Sequence, residues 1–185
     1  MSNWFLGWKP NPPFDWIENL RRDAPQAIRW FHPEDCHVTL AFFGHLSPDQ
    51  VQVICEHLAK GVLRQITASL GKPLLLPNSR RFSALSFSVE SEGDALRDAI
   101  AQNRDEWMTL AGLALETRDP LPHLTFARPD RRASSSQLRA IRNWMHDLRP
   151  PRDLTLIFEG PALFTWADDR THRQFKVVAT AGSNS

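Results

Sequence analysis

The stretch Cys36-His37-Val38-Thr39-Leu40-Ala41-Phe42-Phe43-Gly44, "CHVTLAFFG", decides how this chain is read. It has the composition of a buried strand, yet it carries an imidazole and a hydroxyl two positions apart. Alternate side chains of a strand point to opposite faces, so Cys36, Val38, Leu40 and Phe42 are expected on one side and His37, Thr39, Ala41 and Phe43 on the other. The first set is a core face. The second presents polar groups and wants a polar neighbour.

That neighbour is found 86 residues further on, where His123-Leu124-Thr125-Phe126 repeats the order His, apolar, Thr, apolar. Leu124 and Phe126 form its apolar back, and His123, Thr125 and Ala127 its front. One His-x-Thr is ordinarily a half-exposed histidine beside a strand-favouring threonine. Two copies in matching apolar frames point to a shared site. If the two strands face one groove, two imidazoles and two hydroxyls converge on a volume suited to a tetrahedral anion. Histidine, with an ordinary pKa of about 6.5, can take a proton from an attacking oxygen or give one to a leaving oxygen, and threonine hydroxyls can hold non-bridging oxygens. This is phosphodiester-cleavage chemistry without a metal.

Other readings of the same stretch are weaker. A Cys36 thiol nucleophile would point away from His37. "HPEDCH" offers His32, Glu34, Asp35 and His37 as metal ligands, but on no recognised ligand spacing, so no metal or cofactor is expected. Cys36 and Cys55 are too few for a disulfide framework or a cysteine zinc site, and both are expected reduced and buried.

Working outward, "NWFLGW" (3–8) reads as a strand, followed by a helix in "NPPFDWIENLRRD" with an Asn cap, Pro at its start and Phe14, Ile17 and Leu20 on one face. "AIRWF" precedes the first motif as a strand. "SPDQVQVICEHLAKGVLRQI" reads as a helix opened by a Ser47/Gln50 capping box. "KPLLLP" and "FSALSFSVE" follow as strands, "GDALRDAIAQNRDEWMTLAG" as a helix, and "PHLTFAR" (122–128) as the second motif strand. "SSSQLRAIRNWMHDLRPP" is a capped helix stopped by prolines, and "DLTLIFEG" and "HRQFKVVAT" are closing strands. Helices and strands mix without strict alternation, which favours an α+β class with antiparallel sheets.

Composition bounds the function. The chain has 185 residues, 42% apolar and 23% charged, with no run approaching the roughly 18 apolar residues of a membrane span and no leader-like N-terminus; a cytoplasmic monomer without membrane attachment is expected. Residues 1–120 carry 12 Lys/Arg against 15 Asp/Glu and residues 121–185 carry 10 against 6, so net charge moves from −3 to +4. Of the 22 basic residues 18 are arginine, which suits bidentate phosphate contact as well as it suits an arginine-rich genome.

With both motifs in view, the sequence resembles the two-histidine phosphoesterase superfamily, in particular the RNA 2',3'-cyclic phosphodiesterases also called 2',5' RNA ligases. "PEDCHVTLAFFGHLS" is similar to that branch's first motif and "LPHLTFARP", with Arg128, to its second. The resemblance implies a bilobal fold: two antiparallel-sheet lobes with flanking helices, related by pseudo-twofold symmetry, with the active-site cleft between them and residues 1–185 forming a single domain. It implies an enzyme hydrolysing 2',3'-cyclic phosphate ends of RNA or nucleotides to 2'-phosphomonoesters, with a reverse reaction that joins RNA ends through a 2',5' linkage. By position, His37 and His123 become the acid–base pair and Thr39 and Thr125 the phosphate holders; similar enzymes suggest His123 as base towards water and His37 as acid towards the leaving oxygen. Phe175 stands where similar proteins often have Tyr.

Phe43, on the cleft parity, is a candidate for stacking on a base. Arg128 falls on the apolar parity of an ideal strand, so it reaches phosphate only if the strand ends or twists there. Arg80, Arg81, Arg131, Arg132, Arg139 and Arg142 are candidates to flank the groove. Two alternatives remain open: a non-catalytic module that binds a nucleotide or RNA end, and a phosphodiesterase for another small cyclic phosphate.

Overall fold

A computed structural model describes residues 3–11, 14–61, 65–151 and 153–182. The described residues form eight strands and four α-helices in the order β1 (Trp4–Asn11), α1 (Asp15–Arg22), β2 (Ile28–Trp30), β3 (Val38–Gly44), α2 (Pro48–Ala59), β4 (Ile66–Pro77), β5 (Phe82–Ser91), α3 (Ala95–Leu110), β6 (His123–Pro129), α4 (Ser135–Asp147), β7 (Leu156–Trp166) and β8 (Phe175–Thr180). Every pairing between the described strands is antiparallel.

The helix starts follow the sequence signals. Ser47 and Gln50 close a reciprocal capping box on α2, and Ser134 and Gln137 do the same on α4, each satisfying amide donors that the helix cannot. Gly112, at φ +66°, ends the turn after α3 in the left-handed conformation that glycine adopts without strain. Two boundaries differ from the pattern. Asn11 is the last residue of β1, so α1 begins beyond Phe14 with no side-chain cap; Pro12 and Pro13 lie outside the described residues. The helix expected to reach Ile66 stops at Ala59, just before Gly61. Ile66, Ala68 and Leu70 are then buried in alternation with exposed Thr67 and Ser69, the two-residue period of a strand.

The chain is two interwoven repeats of strand, helix, His-Thr strand, helix, strand: β1-α1-β3-α2-β4 and β5-α3-β6-α4-β7. The last strand of each repeat crosses to the other, since β4 pairs with β5 and β7 with β1. One half of the sheet is therefore β3-β1-β7, extended by β8 on β7, and the other is β4-β5-β6-β2. The first helices cross too: Trp16 of α1 lies edge-on to Phe87 and Phe126, and α3 packs on β3. The two lobes are not separate sheets, because Ile66–Ala68 of β4 pair with Leu156–Phe158 of β7 and make one eight-stranded sheet. A main core containing Leu6, Val38, Ile54, Phe87, Leu124, Phe126 and Phe158 runs through both halves. A smaller cluster of Phe5, Phe31, Ala162, Phe164 and Phe175 adjoins the cleft.

Candidate active site

β3 and β6 approach each other across a cleft of about 740 Å³, and His37, Thr39, His123, Thr125 and Arg128 all line it. The two imidazoles are held alike. Nδ1 of His37 is 2.7 Å from the carbonyl oxygen of Asp35, and Nδ1 of His123 is 2.7 Å from that of Leu121. A carbonyl can only accept, so Nδ1 of each ring carries a proton, and the tautomer this selects leaves Nε2 facing away from the carbonyl.

Each motif strand carries a bulge just after its threonine. Gly7 pairs with Thr39 and Leu6 with Ala41, leaving Leu40 as the extra residue; Ser86 pairs with Thr125 and Leu85 with Ala127, leaving Phe126. One extra residue reverses the alternation beyond it. Leu40 and Ala41 are consequently both buried, as are Phe126 and Ala127. The expectation for Phe43 is overturned: it lies in the core at 5% exposure, while Phe42, expected in the core, is 59% exposed and lines the cleft. The same reversal brings Arg128 round to the cleft face, with its guanidinium 5.2 Å from the centre of the Phe31 ring. Gly7 permits the close approach of β1 to β3, since a Cβ there would stand 2.7 Å from the carbonyl oxygen of Val38.

Aromatic rings surround His37. His37 stacks on Phe5 at 4.4 Å between ring centres and meets Phe175 edge-on at 5.3 Å, with Phe164 at 5.4 Å. This burial disfavours the imidazolium and pushes its pKa down to about 4; the Asp35 carbonyl opposes the shift, and His123 and Arg128 add to it. Burial likewise lowers the pKa of Arg128, and its neighbours Arg29 and Arg131 act in the same direction. The Arg128 Nε is buried without a hydrogen-bond partner.

Two further residues shape the site: Ser86, which sequence reasoning missed, and Asp35, which it offered only as a metal ligand. Ser86, fully buried on β5, places its hydroxyl 2.9 Å from that of Thr125. Asp35, 1% exposed, accepts the backbone N–H groups of Gln174 (2.8 Å) and Phe175 (3.0 Å), which fixes the start of β8 and so Phe175 against His37. The other candidate ligands of "HPEDCH" are also occupied. Glu34 pairs with Lys9 and Arg173, and His32 caps the turn at Pro33–Asp35 by accepting from the Glu34 N–H. Cys36 is buried, with its thiol pKa raised to about 12 by burial, and Cys55 is half-buried. Arg80, Arg81, Arg139 and Arg142 do not line the cleft; Arg142 instead donates to the Ser79 carbonyl and lies over Phe82.

Two His-x-Thr strands of one interwoven antiparallel sheet thus face a single cleft. The chain matches the LigT-like phosphoesterase family over residues 9–71, which include the first motif. Over 130 residues it is 28% identical to an RNA 2',3'-cyclic phosphodiesterase of Geobacillus stearothermophilus, a match covering 69% of this chain and 41% of that protein. The chain thus spans about two-fifths of the length of this curated relative. Among solved structures it is similar to E. coli LigT complexed with 3'-AMP (16% identity, TM-score 0.67, 96% of this chain and 95% of that one). It is also similar to TT0787 of Thermus thermophilus (18% identity, TM-score 0.57, 95% and 94%). Together the matches support the two-histidine phosphoesterase family, and the structures share the fold. No described helix is long and apolar enough to cross a membrane.

Proposed function

We propose that the chain is a metal-independent phosphodiesterase that opens 2',3'-cyclic phosphate ends of RNA or nucleotides to 2'-phosphomonoesters, working as one two-lobed unit over residues 1–185. The observation that carries this is the matched pair of imidazoles lining one cleft, each with Nδ1 held by a backbone carbonyl and Nε2 left for chemistry. Water attacks phosphorus, the bond from phosphorus to O3' breaks, and the phosphate stays on O2'. His123 takes the proton from water and His37 gives one to O3'. The Thr39 and Thr125 hydroxyls and the Arg128 guanidinium hold the non-bridging oxygens as charge develops. A 5'-hydroxyl in place of water gives a 2',5' linkage by the same steps.

His37 takes up its proton from solvent as the anionic substrate binds. Burial keeps the ring neutral in the free protein, and an anion within about 4–6 Å favours the imidazolium. Exposed Phe42, Leu115 and Leu121 form an apolar rim suited to a nucleobase. The similarity to the Geobacillus enzyme supports the reaction class.

The test is incubation with a nucleoside 2',3'-cyclic phosphate in EDTA and identification of the phosphomonoester. Turnover that is lost in His37→Ala and in His123→Ala is expected. Binding without product would instead favour a nucleotide-binding module, and full activity in either variant would remove the acid–base pair.

A further inference from the structure

A second recess of about 360 Å³, lined by Arg29, Asp130, Arg131, Arg132, Arg170 and Gln174, lies outside the catalytic cleft. None of its lining residues lines the cleft, but several neighbour residues that do. Arg128, which lines the cleft, is paired across β2 and β6 with Arg29 and feels Arg131. Trp166, which also lines the cleft, lies under the Arg170 guanidinium at 5.0 Å.

Among the described residues these cations have no carboxylate partner in an ion pair. Like charges directly opposite on paired strands destabilise a sheet, yet Arg29 faces Arg128 in that register. Among the described residues Arg21, Arg118 and Arg173 each have a carboxylate within ion-pair distance, whereas Arg29, Arg128, Arg131, Arg132 and Arg170 have none. Asp130, the one acid in the recess, accepts the backbone N–H of Arg132 at 2.9 Å and pairs with no guanidinium. Four guanidiniums around a single carboxylate make an anion site, and their planar forks match phosphate oxygens.

We propose that this recess binds a second phosphate, the one on the 5' side of the terminal nucleotide, and so selects a nucleotide or RNA end over a bare nucleoside cyclic phosphate. The proposal rests on the phosphodiesterase reading for the position of the first phosphate. A terminal 5'-phosphate and the diester of a longer strand present the same chemistry here.

The test is calorimetric binding in EDTA of adenosine 2'-phosphate, adenosine 2',5'-bisphosphate and an adenosine dinucleotide ending in a 2'-phosphate. The bisphosphate is expected to bind about tenfold more tightly than the 2'-phosphate, with a gain that shrinks as salt rises. A gain for the bisphosphate alone assigns the recess to a terminal phosphate, and a gain for both assigns it to the strand. In the exposed double variant Arg132→Gln/Arg170→Gln, whose charges are not among those acting on Arg128, the gain is expected to vanish while 2'-phosphate affinity stays within about twofold. Equal affinities in the parent, or a gain that survives in the variant, overturn the proposal. Hydrolysis of adenosine 2',3'-cyclic phosphate, followed separately, reports on the catalytic reading: absent turnover with the affinity difference intact overturns catalysis and leaves the second site standing.

Discussion

His37 is where burial and chemistry meet. Its ordinary pKa of 6.5 is pushed down to about 4 by the surrounding phenylalanines. Above about pH 6.5 the imidazole is neutral in both folded and unfolded chains and its burial carries no charge penalty. Between about 6.5 and 4 the unfolded chain binds a proton that the folded one refuses, so stability falls on acidification, by about 3 kcal/mol once both forms are protonated. His37→Gln is expected to lose less Tm between pH 7 and pH 4 than the parent; an equal loss would contradict the shift. A second consequence follows at pH 5.5, where sulfate, which does not titrate there, should bring up to about one proton into the protein on binding. Calorimetry in buffers of different ionisation enthalpy reads this uptake, and it should largely disappear in His37→Gln. On the opposite strand, Ser86→Ala removes the partner of the Thr125 hydroxyl. The expected result is a loss of about 1 kcal/mol in stability and a several-fold fall in kcat; unchanged kcat would mean that Thr125 needs no such support. Neither Ser86 nor the anchoring role of Asp35 could be found from local pattern, because their partners lie 39 and about 140 residues away.

At the scale of elements, the two His-Thr strands and the capped helices α2 and α4 were legible because period-two alternation and Ser-x-x-Gln boxes are local signals. The bulges were not, since parity reasoning assumes an unbroken repeat. Their trace is the adjacent apolar pair after each threonine, Leu40-Ala41 and Phe126-Ala127, which an alternating strand would split between faces. That trace is what exchanges Phe43 for Phe42 and carries Arg128 into the cleft. Gly7 is the element-scale lever on the first bulge. In Gly7→Ala the new methyl must push the Val38 carbonyl, and with it the segment between His37 and Thr39. Urea unfolding should show a loss of about 1–3 kcal/mol, and turnover should fall more than nucleotide binding does. Parent-like stability would show that β1 and β3 separate there freely.

At the scale of the whole molecule, the crossing of strands and helices between repeats governs how the protein comes apart. Neither half of the sheet is built from one continuous stretch of chain: β4 belongs in sequence with the first motif and in space with the second, and β7 the reverse. α1 and α3 cross in the same way, and the seam between β4 and β7 joins the halves by backbone hydrogen bonds. The main core follows suit, with Leu6 and Val38 from one half continuous with Phe87 and Leu124 from the other. Loss of one half therefore strips the other of a strand, a helix and part of its core, which is the condition for all-or-none unfolding. Tryptophans report on both halves: Trp16, Trp30 and Trp144 surround Phe126 on the β6 side, and Trp107 of α3 is tied to α2 through His57. Their combined fluorescence, the far-UV circular dichroism and residual nucleotide binding should lose amplitude at one urea midpoint. Distinct midpoints would mean that the lobes hold their structure independently, and that residues 1–185 are two cooperative units sharing a cleft.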